Sequence, residues 1–147
     1  YICRVGKGYK RYEKNNYNAY TKMIYGIGTD IVEVKRIREA LSKHGIALAK
    51  KILTSQELVT YKRTEGKENF LAKRFAAKEA FAKALGTGMR FPVNFKSIEI
   101  IHDSLGKPKI KTISKLTLLV KSHHIKYCHL SISDEKNIAV AFVILEQ

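Results

Sequence analysis

The chain has 147 residues, 45% of them hydrophobic and 28% charged, with 28 Lys and Arg against 13 Asp and Glu for a formal net charge of +15. A chain of this length with only two prolines forms one domain and buries roughly 70% of its unfolded surface, which excludes disorder and any need for a metal or disulfide scaffold. Its apolar runs fall far short of the roughly 20 residues that cross a bilayer, so membrane insertion is excluded as well. An excess of positive charge calls for an acidic partner, and nucleic acid, phosphorylated cofactors, anionic lipid and acidic proteins all qualify. Cys3 and Cys128 stand too far apart in sequence for metal-ligand spacing, and a reducing cytoplasm suits them.

Residues 1–22 differ from the rest. They hold five of the eight tyrosines, six basic residues and one acid. They read as an appendage outside the fold, an added or upstream-translated extension with a native basic tail as the alternative, leaving a domain over 23–147. Ile24 to Thr29 reads as a short buried strand with Gly26 and Gly28 inside it. A helix pattern follows Asp30 through Ile31, Val34, Ile37, Arg38 and Leu41, and His44-Gly45 closes it. A short helix covers about Ile46 to Leu53, and Thr54 with Glu57 forms a capping box for the next. The longest helix spans about Lys67 to Leu85, rich in Ala, Lys, Glu and Leu and free of Gly and Pro. Gly86-Thr87-Gly88 ends it.

Strands are expected at Ser97 to His102 and Lys109 to Ile113, around the Leu105-Gly106-Lys107-Pro108 turn, with Lys115 to Lys121 open between helix and strand. Tyr127 to Ser133 and Ile138 to Leu145 make a final hairpin. One strand, then helices, then a run of strands is an α+β order, with an antiparallel sheet packed on the long helix.

Three features are not accounted for by folding alone. Asp30 follows an apolar strand whose glycines allow close approach; it serves either as the N-cap of the next helix or as a metal ligand. Glu79 falls in the stripe of Leu71, Phe75 and Ala82, where an unpaired charge costs several kcal/mol. Its counter-ion is either Lys83, one turn on, or a divalent cation shared with Asp30. In the last hairpin His129, Ser131 and Ser133 alternate away from Leu130 and Ile132, either as a wetted face or as donors to phosphate oxygens. Lys73, Arg74, Lys78 and Lys83 add positive charge along the long helix, with Phe70, Arg74 and Lys78 on one side. Such a run is ordinarily a wet face; here it neighbours the candidate metal site. Gly86-Thr87-Gly88 is too short for a phosphate-loop fingerprint, His102 and His123-His124 show no ligand spacing, and Cys128 falls on the apolar side of its strand.

These residues also carry a resemblance. Ile24-Tyr25-Gly26-Ile27-Gly28-Thr29-Asp30-Ile31-Val32-Glu33 with Arg36-Ile37, the run Phe70 to Gly88 that includes Lys73-Arg74-Phe75-Ala76-Ala77-Lys78-Glu79, Gly106-Lys107-Pro108, and His129-Leu130-Ser131-Ile132-Ser133 resemble the small bacterial 4'-phosphopantetheinyl transferases of the holo-[acyl-carrier-protein] synthase type. The resemblance runs from Met23 to about Glu146. It implies transfer of the phosphopantetheine arm of coenzyme A to a serine of apo acyl carrier protein for fatty acid biosynthesis, with release of adenosine 3',5'-bisphosphate. It further implies magnesium held by Asp30 and Glu79, and Lys83 on the transferring or leaving phosphate. Coenzyme contacts are implied at Arg74, Gly86, Gly106, Pro108, His129 and Ser131, and acidic carrier-protein docking on Arg36 and Lys43. A cytoplasmic homotrimer with sites at subunit interfaces is implied too, Asp30 of one chain meeting Glu79 of another. Many relatives carry His-Thr where this chain has Asp134-Glu135. The rival reading is a nucleic-acid-binding module using Arg74, Lys78 and the Tyr-rich segment; a further one is an inactive carrier-protein-binding subunit.

Overall fold

The computed structural model describes residues 23–147. Strand β1 (Ile24–Glu33) leads into helices α1 (Val34–His44), α2 (Ile46–Ile52), α3 (Ser55–Arg63) and α4 (Lys67–Ala84). Strands β2 (Ile98–His102) and β3 (Pro108–Thr112), helix α5 (Lys115–Ser122), and strands β4 (Tyr127–Asp134) and β5 (Ile138–Glu146) complete the order. β5 pairs antiparallel with both β1 and β4 in a sheet ordered β1-β5-β4, and β2 with β3 forms a separate antiparallel pair. The expected α+β architecture is present, with the ambiguous segment after β3 folding as a helix. The extension over 1–22, including Cys3, lies outside the described residues.

α4 is the helix on which the fold is built. Alanine-rich sequence favours it intrinsically, and Leu71, Ala72, Ala76, Ala77, Ala80, Phe81 and Ala82 are all buried. One side lies on the sheet, where Ala139, Ala141, Val143 and Leu145 of β5 are inaccessible to solvent. Gly26 and Gly28 of β1 let the helix come closer still: a Cβ on either would overlap the carbonyl oxygen of Ala84 or Ala80. The other sides are closed by α1, α2, α3 and β2. The helix stops at Leu85, whose N–H donates to Phe81 O, and Gly86 follows with φ 78°, a conformation that favours glycine.

β1 corrects the expected strand end. The strand does not stop at Thr29; it pairs with β5 as far as Glu33 opposite Ile138, and Val34 N–H donates to Asn137 O at 2.9 Å where α1 begins. Asp30 is therefore a mid-strand residue opposite Ala141, and Glu33 occupies the N-cap position of α1. The N-cap alternative for Asp30 falls. Neither is β1 buried on both sides, since Gly28 and Val32 are buried while Ile27, Ile31 and Ile24 are exposed.

The capping box forms as expected: Thr54 Oγ1 accepts from Glu57 N–H at 3.3 Å, and Glu57 Oε2 accepts from Thr54 N–H at 2.8 Å.

Candidate active site

Strand alternation sends Gly26, Gly28, Asp30 and Val32 toward α4. The smooth glycine contact brings the last turns of α4 alongside Asp30, and Lys83 Nζ donates to Asp30 Oδ1 at 2.8 Å and to Thr29 O at 3.0 Å. Lys83 thus pairs with Asp30, and the expected Glu79–Lys83 pair along the helix is not among the ion pairs of the described residues. Glu79 is half-buried rather than enclosed in the core stripe. Burial first, and the neighbouring Asp30 charge second, raise its carboxyl above the ordinary range, partly offset by Lys83. Asp30, Glu79 and Lys83 thus share one site.

That arrangement is a correction as well as a finding. The two carboxylates meet within a single chain, so they need not come from different subunits. Two like charges held together in partial desolvation, with the Lys83 ammonium on Asp30, form a site that a hard divalent cation suits. The donor set is all oxygen. Among the described residues no three His, Cys, Asp or Glu cluster so as to hold a metal ion by themselves.

The remaining expected contacts lie elsewhere. His129 and Ser131 project from the face of the sheet opposite to Asp30, and His129 Nε2 lies 2.9 Å from Glu146 Oε2. At the β3–β4 boundary a cleft of about 400 Å³ is lined by Lys107, Pro108, Lys109, Lys126 and His129 over Phe81, Ile110 and Leu130. Pro108 and His129 therefore belong to one apolar-floored, basic-rimmed cleft, with Gly106 beside it at φ 81° in the turn. Gly86 is at the end of α4, exposed and near Lys83. Arg36 and Lys43 are exposed on α1, seven positions apart and so on one helical face. Cys128 is packed against the core, and burial pushes its thiol up to about 12, which leaves no thiolate for nucleophilic chemistry.

Arg74 and Lys78 overturn the wet-face expectation. Lys78 is 0% exposed and Arg74 7%. Lys78 Nζ donates to Glu57 Oε2 at 2.6 Å, Ile52 O at 2.8 Å and Phe95 O at 2.8 Å. The Arg74 guanidinium lies 4.4 Å above the Phe70 ring, and its Nε is 3.9 Å from Glu57 Oε1. Glu57 is thus a buried counter-ion besides a capping residue, a role the sequence reading missed. No local signal marks it, because charged residues are spread around the circumference of α4 and the partners of Lys78 come from separate segments of the chain. These two residues are unavailable as a nucleic-acid surface, and that reading is not supported.

The 4'-phosphopantetheinyl transferase superfamily model matches residues 26–143. A holo-[acyl-carrier-protein] synthase of Nitrosospira multiformis is 54% identical over 125 residues, covering 85% of this chain and all of its own. The crystal structure of a holo-[acyl-carrier-protein] synthase from Neisseria meningitidis superposes with a TM-score of 0.83 at 50% identity, covering 85% of this chain and 100% of that one. One from Bacillus anthracis, solved in complex with CoA (3',5'-ADP), does so with a TM-score of 0.72 at 42% identity, covering 85% and 98%. With fold, glycine-lined approach and carboxylate pair all in place, this chain belongs to the 4'-phosphopantetheinyl transferase superfamily, in its holo-[acyl-carrier-protein] synthase group.

Proposed function

We propose that Asp30, Glu79 and Lys83 are the reacting centre for the activity of this family, transfer of 4'-phosphopantetheine from coenzyme A to a serine hydroxyl of apo acyl carrier protein with release of adenosine 3',5'-bisphosphate. The observation that carries the assignment is the convergence of β1 and α4: Lys83 reaches Asp30 at 2.8 Å, and Glu79 feels the Asp30 charge one helical turn away. Asp30 and Glu79 would hold magnesium, which when bound neutralises charge on pyrophosphate oxygens during the transfer. Lys83 is a point charge already seated at the site. When phosphate arrives, the ammonium exchanges Asp30 for a phosphate oxygen while Thr29 O retains one of its protons, and it stabilises the departing bisphosphate.

The coenzyme contacts extend this reading. Lys107, Lys109, Lys126 and His129 rim a cleft suited to the nucleotide phosphates, with Pro108 in its wall, Gly106 in the adjoining turn and Gly86 beside Lys83. Arg74, buried against Glu57, acts through the shape of the helix more than by direct contact. Because His129 and Ser131 face away from Asp30, they complete a neighbouring chain's site in a homotrimer. The exposed outer sheet residues Ile27, Ile31, Ile138 and Phe142 supply an apolar face for that assembly. Arg36 and Lys43 orient the acidic carrier protein and raise its encounter rate. The setting is fatty acid biosynthesis in the cytoplasm; among the described residues no helix is long and apolar enough to cross a membrane.

Asp30→Asn and Glu79→Gln each keep side-chain volume and remove a charge. Each is expected to lower the transfer rate by about 10²-fold or more while the circular dichroism spectrum is unchanged. A near-parental rate in either folded variant removes that residue from the centre.

A further inference from the structure

Where α4 meets β1, Gly26 and Gly28 present bare backbone to the helix. A surface without interdigitating side chains sets how close helix and strand lie, but it resists sliding and rolling of the helix weakly. Glu79 and Lys83 meet Asp30 only at one such setting. Away from β1 the helix carries Lys78, one residue before Glu79. All three ammonium protons of Lys78 are used: on Ile52 O at the end of α2, on Phe95 O in the segment before β2, and on Glu57 Oε2 at the start of α3. Glu57 is held in turn, accepting from Thr54 N–H at 2.8 Å and from Ile100 N–H of β2 at 2.9 Å. A single buried side chain therefore ties three neighbouring segments and, through Glu57, β2 to the helix that bears Glu79 and Lys83.

Net stability does not explain such a pair. Burying two ions costs about as much as their attraction returns, and replacing a buried pair by apolar groups of similar volume is often neutral or stabilising. What the pair does fix is register. We infer that the Lys78–Glu57 pair is a positioning device that locks the roll and axial setting of α4, and thereby the placement of Glu79 and Lys83 against Asp30. Lys78 is a positioning residue, since it is 0% exposed and has no proton free for substrate. This rests on reading Asp30 and Glu79 as metal carboxylates.

The test uses the full chain and Mn²⁺ alone as probe, its binding followed by water-proton relaxation. The paired variant Glu57→Gln/Lys78→Met removes both charges of the pair and leaves Arg74, stacked on Phe70, as the buried cation beside position 57. It is expected to melt cooperatively, to bind Mn²⁺ at least about tenfold more weakly, and to need correspondingly more metal for half-maximal transfer at an unchanged KM for the carrier protein. Cooperative melting with the parental Mn²⁺ dissociation constant overturns the inference. Should the paired variant not melt cooperatively, Glu57→Gln alone decides, because it keeps Lys78 and its two carbonyl bonds: a severalfold weaker Mn²⁺ affinity supports the inference, and a parental value overturns it. Asp30→Asn separates the two claims. Parental Mn²⁺ binding there overturns the metal reading and this inference with it, whereas parental binding in the Lys78 and Glu57 variants alone overturns only the inference.

Discussion

Glu79 is held at some cost. Its carboxyl lies above the ordinary range because burial and the Asp30 charge both disfavour the anion. For such a group the folded state binds the proton more tightly than the unfolded chain does. Its stabilising contribution is therefore present below the ordinary carboxylate range and is lost as pH rises through the folded value. At neutral pH, without metal, ionised Glu79 works against folding. Glu79→Gln is expected to raise the melting temperature of the metal-free protein by about 2–4 °C at pH 7, with the difference vanishing below pH 4. Magnesium should then raise the melting temperature of the parent and leave the variant unchanged, since only the parent offers both carboxylates. Differential scanning calorimetry measures both; a variant that melts below the parent at pH 7 contradicts the repulsion.

At the scale of elements, the contact of β1 with α4 is where fold and site become one. Gly28→Ala places a methyl against the Ala80 carbonyl oxygen and the Ala84 N–H, backbone atoms that cannot step aside without moving the helix. The expected loss is about 3 kcal/mol by urea denaturation, with transfer falling further than stability because Lys83 and Glu79 move away from Asp30. A loss within about 0.5 kcal/mol would contradict the close approach. Helices α1 to α4 and the hairpins around Leu105-Gly106 and Asp134-Glu135 were legible because periodicity, caps and turn residues are local signals, whereas the segment of α5 was open between helix and strand. The end of β1 was not. Its ladder partners over Val32 and Glu33 are Ala139 and Ile138, more than a hundred positions on, while the apolar spacing from Ile31 to Leu41 imitates a helix that begins early. The burial of Lys78 was illegible for a similar reason: its partners Ile52, Glu57 and Phe95 come from three separate segments. Asp30 and Glu79 stood out because each sits where an apolar pattern does not accommodate a charge, and Lys83 entered as the residue one turn on from Glu79.

For the whole molecule, the +15 charge is now distributed among roles. Lys78 and Arg74 neutralise Glu57 inside the fold, Lys83 pairs with Asp30, Lys107, Lys109 and Lys126 rim the cleft, and Arg36 and Lys43 face outward on α1. On the proposed assembly, the exposed outer sheet face is where the copies of the homotrimer meet. Ile31, 65% exposed, sits at its edge strand. Ile31→Asp should leave the isolated fold intact and remove roughly 1.5–3 kcal/mol of burial per interface. Analytical ultracentrifugation is expected to find three copies for the parent and one for the variant, with equal masses contradicting the interface.

The central claim is that this chain moves phosphopantetheine through a metal site built on Asp30 and Glu79. Intact-mass spectrometry of apo acyl carrier protein, incubated with the chain, coenzyme A and magnesium, tests it most directly. The expected result is a gain of one phosphopantetheine that disappears with chelator and with Glu79→Gln. An unmodified carrier protein, or a gain that persists under both treatments, would contradict it.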